Sequence, residues 1–293
     1  MEFGVVLLYL ESLNLTKFYF IKLDIDIMID INLKNFHPPF FIHSDIVRSH
    51  EILTENKKID KKADVCSLHY DLLKENFGDE NLIFPSFNYN FGKNLLFNHL
   101  KDEVQVGSLP EWIRLNTSFQ RSFTPFFSIL SKNKFVEFEN IQFPFGLNSS
   151  FSKMFKLKGT FLFYGVDFSV FTAIHFLETE FGPPIYRYDK SFDGKIIGKN
   201  INQKCTVKFH VRPKDMNLQY DWVKMQSDMT KQGVLNKSKK FNYLYFCKSD
   251  EIYNFFKKKL SLDPFYMLDS KSAKLFFKLT EKGKKRVELK KFE

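Results

Sequence analysis

Short apolar runs of strand length alternate along this chain with segments of helical spacing, and that interleaving confines it to layered folds of sheet and helix. Phe40, Phe41 and Ile42 form one such run, and His43, Ser44 and Asp45 follow it as turn and cap residues. The run reads as a buried strand ending at a helix N-cap, with residues 45–53 as the helix. Residues 66–78 have helical character and stop at Gly78, and 81–87 read as a strand with Pro85 near its end. Ser108 and Glu111 form a capping-box pattern around Pro110, which predicts a helix start. Further strands are expected over 123–130, 158–168, 205–212 and 241–247. Further helices are expected after a cap at Ser149 or Ser150, over 170–182 with Gly182 as the stop, and over 249–260 capped by Ser249. Upstream, 23–32 alternates apolar and acidic residues with period two, the pattern of a half-buried strand, and 54–63 reads as a charged loop. The expectation is an α/β (α+β layered) fold. No linker, internal repeat or low-complexity stretch divides residues 1–293, so one domain is expected, with 195–293 as a C-terminal subdomain.

Charge and cysteine content narrow the function classes. Basic residues outnumber acidic ones 44 to 34, a net charge of +10. A basic surface attracts phosphate of any kind, so nucleic acid, coenzyme A, a nucleotide sugar and an anionic lipid headgroup all fit that balance. Much of the excess is local: Lys282, Lys284, Lys285, Arg286, Lys290 and Lys291 crowd the C-terminus and read as a solvated tail. The three cysteines, Cys66, Cys205 and Cys247, lie far apart with no CxxC or zinc spacing. Neither a disulfide framework nor a metal is indicated, which fits a reducing cytoplasm. The amino-terminal apolar run lacks a basic flank and carries Glu11, so it does not read as a signal peptide. No run reaches the ~18 apolar residues of a membrane span. A P-loop, a GxGxxG after a strand, HExxH and GxSxG are all missing, as are zinc-finger and RNP-like patterns, so no nucleic-acid partner is expected.

The segment Thr172–Glu178 carries the most chemistry. Residues three apart share a helix face, so Thr172, His175 and Glu178 line up while Phe171, Ile174 and Leu177 turn to the core. A carboxylate one turn from an imidazole fixes its tautomer and raises its basicity, which suits a general base. A surface pair or a core histidine gives the same spacing.

Four ordered blocks together resemble the aminoglycoside 3-N-acetyltransferase family. They are FFIHSDIVR (40–48), NLIFPSFNYNFG (81–92), VGSLPEWIRLNTSFQRSFTPFFSI (106–129) and the stretch 143–178 with its Phe-Gly and Thr-x-x-His-x-x-Glu patterns. The similarity spans about 35–190. It implies a mixed central sheet flanked by helices, unlike the GCN5-type acetyltransferases. Acetyl-CoA is implied as co-substrate, with direct transfer to an amine and no metal. By the resemblance, His175 is the base or its close partner and Glu178 its orienting carboxylate. His43, Ser44, Asp45, Arg121, Ser122 and Ser128 are expected to meet coenzyme A, and Thr124, Asp167 and Thr172 the acceptor. Ser44 as a plain helix cap and Arg121 as a surface ion-pair partner stay open. Antibiotic-modifying members carry His-Pro where this chain has Thr124-Pro125. A net charge of +10 also matches a polycation poorly. Together these point to a member from surface-polysaccharide biosynthesis and a singly aminated sugar, free or carried on a nucleotide or lipid phosphate. The alternatives are a non-catalytic glycan- or phosphate-binding relative and an aminoglycoside 3-N-acetyltransferase proper.

Overall fold

The computed structural model describes residues 36–56, 64–133, 135, 139–182, 184–213 and 216–287. The strand expected over 23–32, the later part of the charged loop over 54–63, and Lys290 and Lys291 lie outside the described residues.

The apolar runs become the centre of a seven-stranded mixed sheet. In chain order its strands are β1 (Phe40–Ser44), β2 (Leu82–Pro85), β4 (Gln120–Arg121), β5 (Ile129–Ser131), β6 (Thr160–Tyr164), β9 (Asn236–Lys237) and β10 (Leu244–Lys248). Their spatial order is β4-β5-β2-β1-β6-β10-β9. β1 pairs in parallel with β2 and with β6, with Phe40 opposite Leu82 and Thr160. β5 and β10 close on either side in antiparallel sense. Every residue of β2 and β6 is buried, as expected for parallel strands covered on both faces. Phe41, Ile83, Phe161 and Phe163 feed one apolar cluster, whereas Phe40, Ile42, Leu82 and Leu162 feed a second on the opposite face, the period-two alternation of a strand.

Helices cover both clusters. α1 (His50–Asn56), α2 (Val65–Phe77) and α4 (Ser108–Asn116) lie with the second cluster; α5 (Ser150–Lys156), α6 (Ile174–Glu180), α7 (Trp222–Lys231) and α8 (Ser249–Leu262) lie with the first. α3 (Phe91–Asn94) leads into β3 (Leu96–Asn98), which pairs with the hairpin of β7 (Tyr188–Gly198) and β8 (Ile201–Val211) in a separate three-stranded sheet. α9 (Ser270–Leu279) completes the fold. From the C-terminal third, β10 pairs antiparallel with β6 in the main sheet.

Several local expectations change. α1 begins only at His50, and Ser44 is the last residue of β1; Asp45 accepts instead from the amides of Val47 and Arg48 at 2.9 and 3.2 Å. Gly107, not Ser108, precedes α4, and Glu111 leaves the capping box to accept from Val104 N and to pair with Arg114. Ser249 opens α8 without capping it and donates to the Met154 carbonyl. The strand expected over 123–130 shrinks to β5, since Phe126 has φ 66° and breaks the extended run. Gly165, past β6, has φ 80°, and a Cβ there would lie 2.1 Å from the Asp45 carbonyl. Only glycine lets the loops after β1 and β6 meet this closely.

Candidate active site

At the carboxyl ends of β1, β2 and β6 the loops enclose a cavity of about 540 Å³. Open α/β sheets place ligands at this edge. β1 supplies His43 and Ser44; the loop after β2 supplies Phe87 and Tyr89; Gly107 and Ser108 come from the start of α4; Thr172 and His175 come from the start of α6, and Trp222 from α7. Among the described residues, Asp45 is the single carboxylate in the wall, and no Lys or Arg lines it. Two buried polar atoms on β1, His43 Nε2 and Ser44 Oγ, have no hydrogen-bond partner among the described residues. Buried polar groups are ordinarily satisfied, so these two are suited to meet a ligand.

Behind His175, Glu178 collects the polar groups of four segments. Its Oε2 accepts from His175 Nδ1 at 2.8 Å and from His210 Nε2 at 3.0 Å. Its Oε1 accepts from the hydroxyls of Tyr186 at 2.9 Å and Tyr220 at 2.5 Å. Arg187 Nε stands 3.4 Å from Oε1, an ion pair without hydrogen-bond alignment, while its Nη2 donates to Tyr220. Burial alone would raise the Glu178 carboxyl, but the Arg187 charge and the two imidazole N–H groups outweigh it and hold the group well below the usual carboxylate range. Burial, aided by Glu178, keeps both tyrosines protonated as donors. Burial also pushes His175 down to about 4, opposed by its bond to Glu178 and reinforced by Arg187.

These shifts assign the tautomer. An ionised carboxylate can only accept, so His175 Nδ1 carries the proton and Nε2 keeps its lone pair. The His175 side chain is 24% exposed and lines the cavity, and Nε2 bonds to no described residue. The site therefore presents a neutral imidazole, braced from behind, to the cavity.

His175, Glu178 and His210 are also the one group among the described residues with the spacing of metal ligands, their atoms lying within 4.8 Å. The donor set fits a hydrogen-bonded hub better. Both rings point N–H groups at the same oxygen, and Arg187 already supplies the positive charge beside it.

The other expected site residues divide sharply. His43, Ser44, Asp45 and Thr172 line the cavity with His175. Arg121, Ser122 and Ser128 do not, because they build the sheet edge instead. Arg121 is buried and donates to the carbonyls of Asp102 (2.5 Å) and Ser86 (2.8 Å) and to Ser128 Oγ (3.1 Å). Ser122 Oγ accepts from Ile129 N, and Ser128 Oγ donates to Ser86 O. Thr124 is fully buried and donates to Glu139 at 2.5 Å, outside the cavity wall. Asp167 sits between wall residues but is turned to the amide of Ser169, capping a short turn of 3₁₀ helix. Sequence reasoning missed Tyr186, Arg187, His210 and Tyr220. They lie 8 to 42 residues from Glu178, and no local spacing signals them.

The family model for aminoglycoside 3-N-acetyltransferase matches residues 91–261. No curated protein matches the chain significantly. Among solved structures, aminoglycoside acetyltransferase AAC(3)-IVa as the apoenzyme aligns with TM-score 0.61 at 14% identity, over 82% of this chain and 89% of its own. AAC-IIIb in a binary complex with CoASH aligns with TM-score 0.61 at 12% identity, over 78% and 91%. The YokD protein from Bacillus subtilis aligns with TM-score 0.55 at 15% identity, over 75% and 85%. At these identities the likeness is one of fold.

Proposed function

The chain belongs to the aminoglycoside 3-N-acetyltransferase family, and from that premise we propose that it is an acetyl-CoA-dependent N-acetyltransferase acting on a singly aminated sugar of surface-glycan biosynthesis. The observation that carries the reading is the neutral His175, held through Nδ1 by ionised Glu178 with Nε2 toward the cavity. An acceptor amine arrives as an ammonium and must lose a proton before it can attack. His175 Nε2 takes that proton, and the imidazolium formed is stabilised by the carboxylate 2.8 Å away. Arg187, Tyr186 and Tyr220 keep Glu178 ionised and fixed, so the ring does not turn as charge develops. Acetyl-CoA, when bound, supplies an already activated thioester carbonyl, so no nucleophilic side chain is needed.

The cavity fits the reacting end of such a pair. About 540 Å³ lies within the range of small-molecule pockets, room for a sugar ring and the acyl end but not the whole coenzyme. His43 Nε2 and Ser44 Oγ are the residues suited to hold the acyl arm. With no cation among the described residues of the wall, the coenzyme phosphates belong outside it.

Aromatic faces of Phe87, Tyr89 and Trp222 and a single carboxylate favour one amine over a polycation. A second reading, an aminoglycoside acceptor, is favoured by the related AAC(3)-IVa structures in complex with a gentamicin and with apramycin. Thiol release from acetyl-CoA against monoamino sugars, their nucleotide-linked forms and gentamicin decides between them. Faster release with gentamicin overturns the monoamino reading; no release with any acceptor overturns the enzyme.

A further inference from the structure

We infer that α9 and the turn after it form a docking surface for an anionic membrane. Residues 270–287 hold seven basic residues against Glu281 alone, more than half of the chain's net +10 in one short segment. On α9, Lys271, Lys274 and Lys278 recur at the helical period and share the solvent face. Lys285 and Arg286 are neutralised by Glu281 and Asp189, but Lys274 and Lys278 pair with no acidic group among the described residues. Two apolar side chains flank the lysines: Leu275 is 40% and Phe277 46% exposed. The opposite face, through Phe276, packs on Tyr186, and Phe277 meets the edge of Phe265 at 6.2 Å while staying half exposed, so the helix is anchored and presents its charge in a fixed array.

A solvated charged face needs no exposed aromatic, and duplex nucleic acid offers phosphate but no apolar layer to receive one. A lipid surface supplies both: phosphates for the lysines, and the headgroup boundary for Phe277 and Leu275. The surface also connects to the residues that brace Glu178. Arg286 donates from Nε to the Arg187 carbonyl at 2.8 Å, and Arg187 is the residue whose guanidinium faces Glu178. Tyr186, which packs on Phe276, bonds to Glu178 directly. A protein docked by α9 therefore holds the back of this hub, through Tyr186 and the Arg187 backbone, one packing layer from the bilayer.

Co-sedimentation of the full chain with vesicles tests this without substrate, so its failure leaves the acetyltransferase reading untouched. Binding is expected to mixed phosphatidylglycerol–phosphatidylcholine vesicles and not to pure phosphatidylcholine. Each lysine near an anionic surface contributes about 1 kcal/mol, about fivefold, so Lys274→Ala with Lys278→Ala lowers partitioning roughly 25-fold. Both positions are exposed, and an unchanged Tm confirms that the fold survives. Phe277→Ala weakens vesicle binding but leaves affinity for RNA as it was. Equal binding to both vesicle types, none to either, or undiminished binding by the double variant overturns the proposal. So does an affinity for RNA that exceeds the affinity for anionic vesicles.

Discussion

Replacing Glu178 by glutamine changes one atom, and the hub geometry determines the consequence. The carboxylate accepts two imidazole N–H groups on Oε2 and two hydroxyls on Oε1, with Arg187 at 3.4 Å. A glutamine amide can face only one of these sets with its oxygen. With the NH₂ toward the rings, His175 must accept at Nδ1 and move its proton to Nε2, which turns a base into a donor at the cavity. With the NH₂ toward Arg187, two donors oppose each other and the guanidinium loses its counter-charge in a site where Glu178 is 2% exposed. Removing one partner of a buried ion pair costs about 3–5 kcal/mol, a Tm lower by roughly 10 °C. Turnover is expected to fall about 10²–10⁴-fold, the range for loss of a general base, because the tautomer is lost or the ring is no longer held. His175→Gln should lose as much activity with little change in Tm, since its ring is partly exposed and makes one bond to the hub. Melting curves and single-turnover acetyl transfer on the same preparations separate the two effects. A Glu178→Gln protein that melts and turns over like the wild type would refute both the ion-pair and the tautomer arguments.

Acidity should act late on activity. Burial holds the folded His175 near 4, below its ordinary 6.5, so the free base persists and kcat/KM should stay level on the acid side down to about pH 5; a limb near pH 6.5 would contradict the assigned environment. The same depression makes the unfolded chain the better proton acceptor between about pH 6.5 and 4. The stability from this group is therefore full above that window and lost as pH falls through it, which acid melting curves will show. Arg121→Lys should lower stability by about 1–3 kcal/mol through lost bonds to buried carbonyls, yet leave coenzyme A affinity unchanged, as calorimetry can verify. Because no described Lys or Arg lines the cavity, affinity for acetyl-pantetheine should be nearly independent of salt, and a steep salt dependence would place cations within it.

The layered fold and half of the hub were legible in the chain itself. Buried parallel strands need continuous apolar runs, so β1, β2 and β6 stood out, and α2 ended at Gly78, whose φ of 75° disfavours other residues. The His175–Glu178 pair was visible because helical contacts have a fixed spacing, and the bond at 2.8 Å follows it. Tertiary structure decided the rest. The strand over 205–212 was expected and is β8, but its largely exposed and polar partner β7 was not, and nothing local encodes that the hairpin delivers His210 to Glu178, 32 residues away. Arg121 reads the same in sequence whether it holds a ligand or a carbonyl; only the approach of the Ser86 and Asp102 backbones makes it structural. Thr124 likewise gained its partner, Glu139, through the fold. Local spacing encodes neighbours within a turn or across a strand. The charge state of the hub depends on water excluded by three further segments, those of Tyr186 and Arg187, of His210 and of Tyr220, and that is a property of the packed molecule alone.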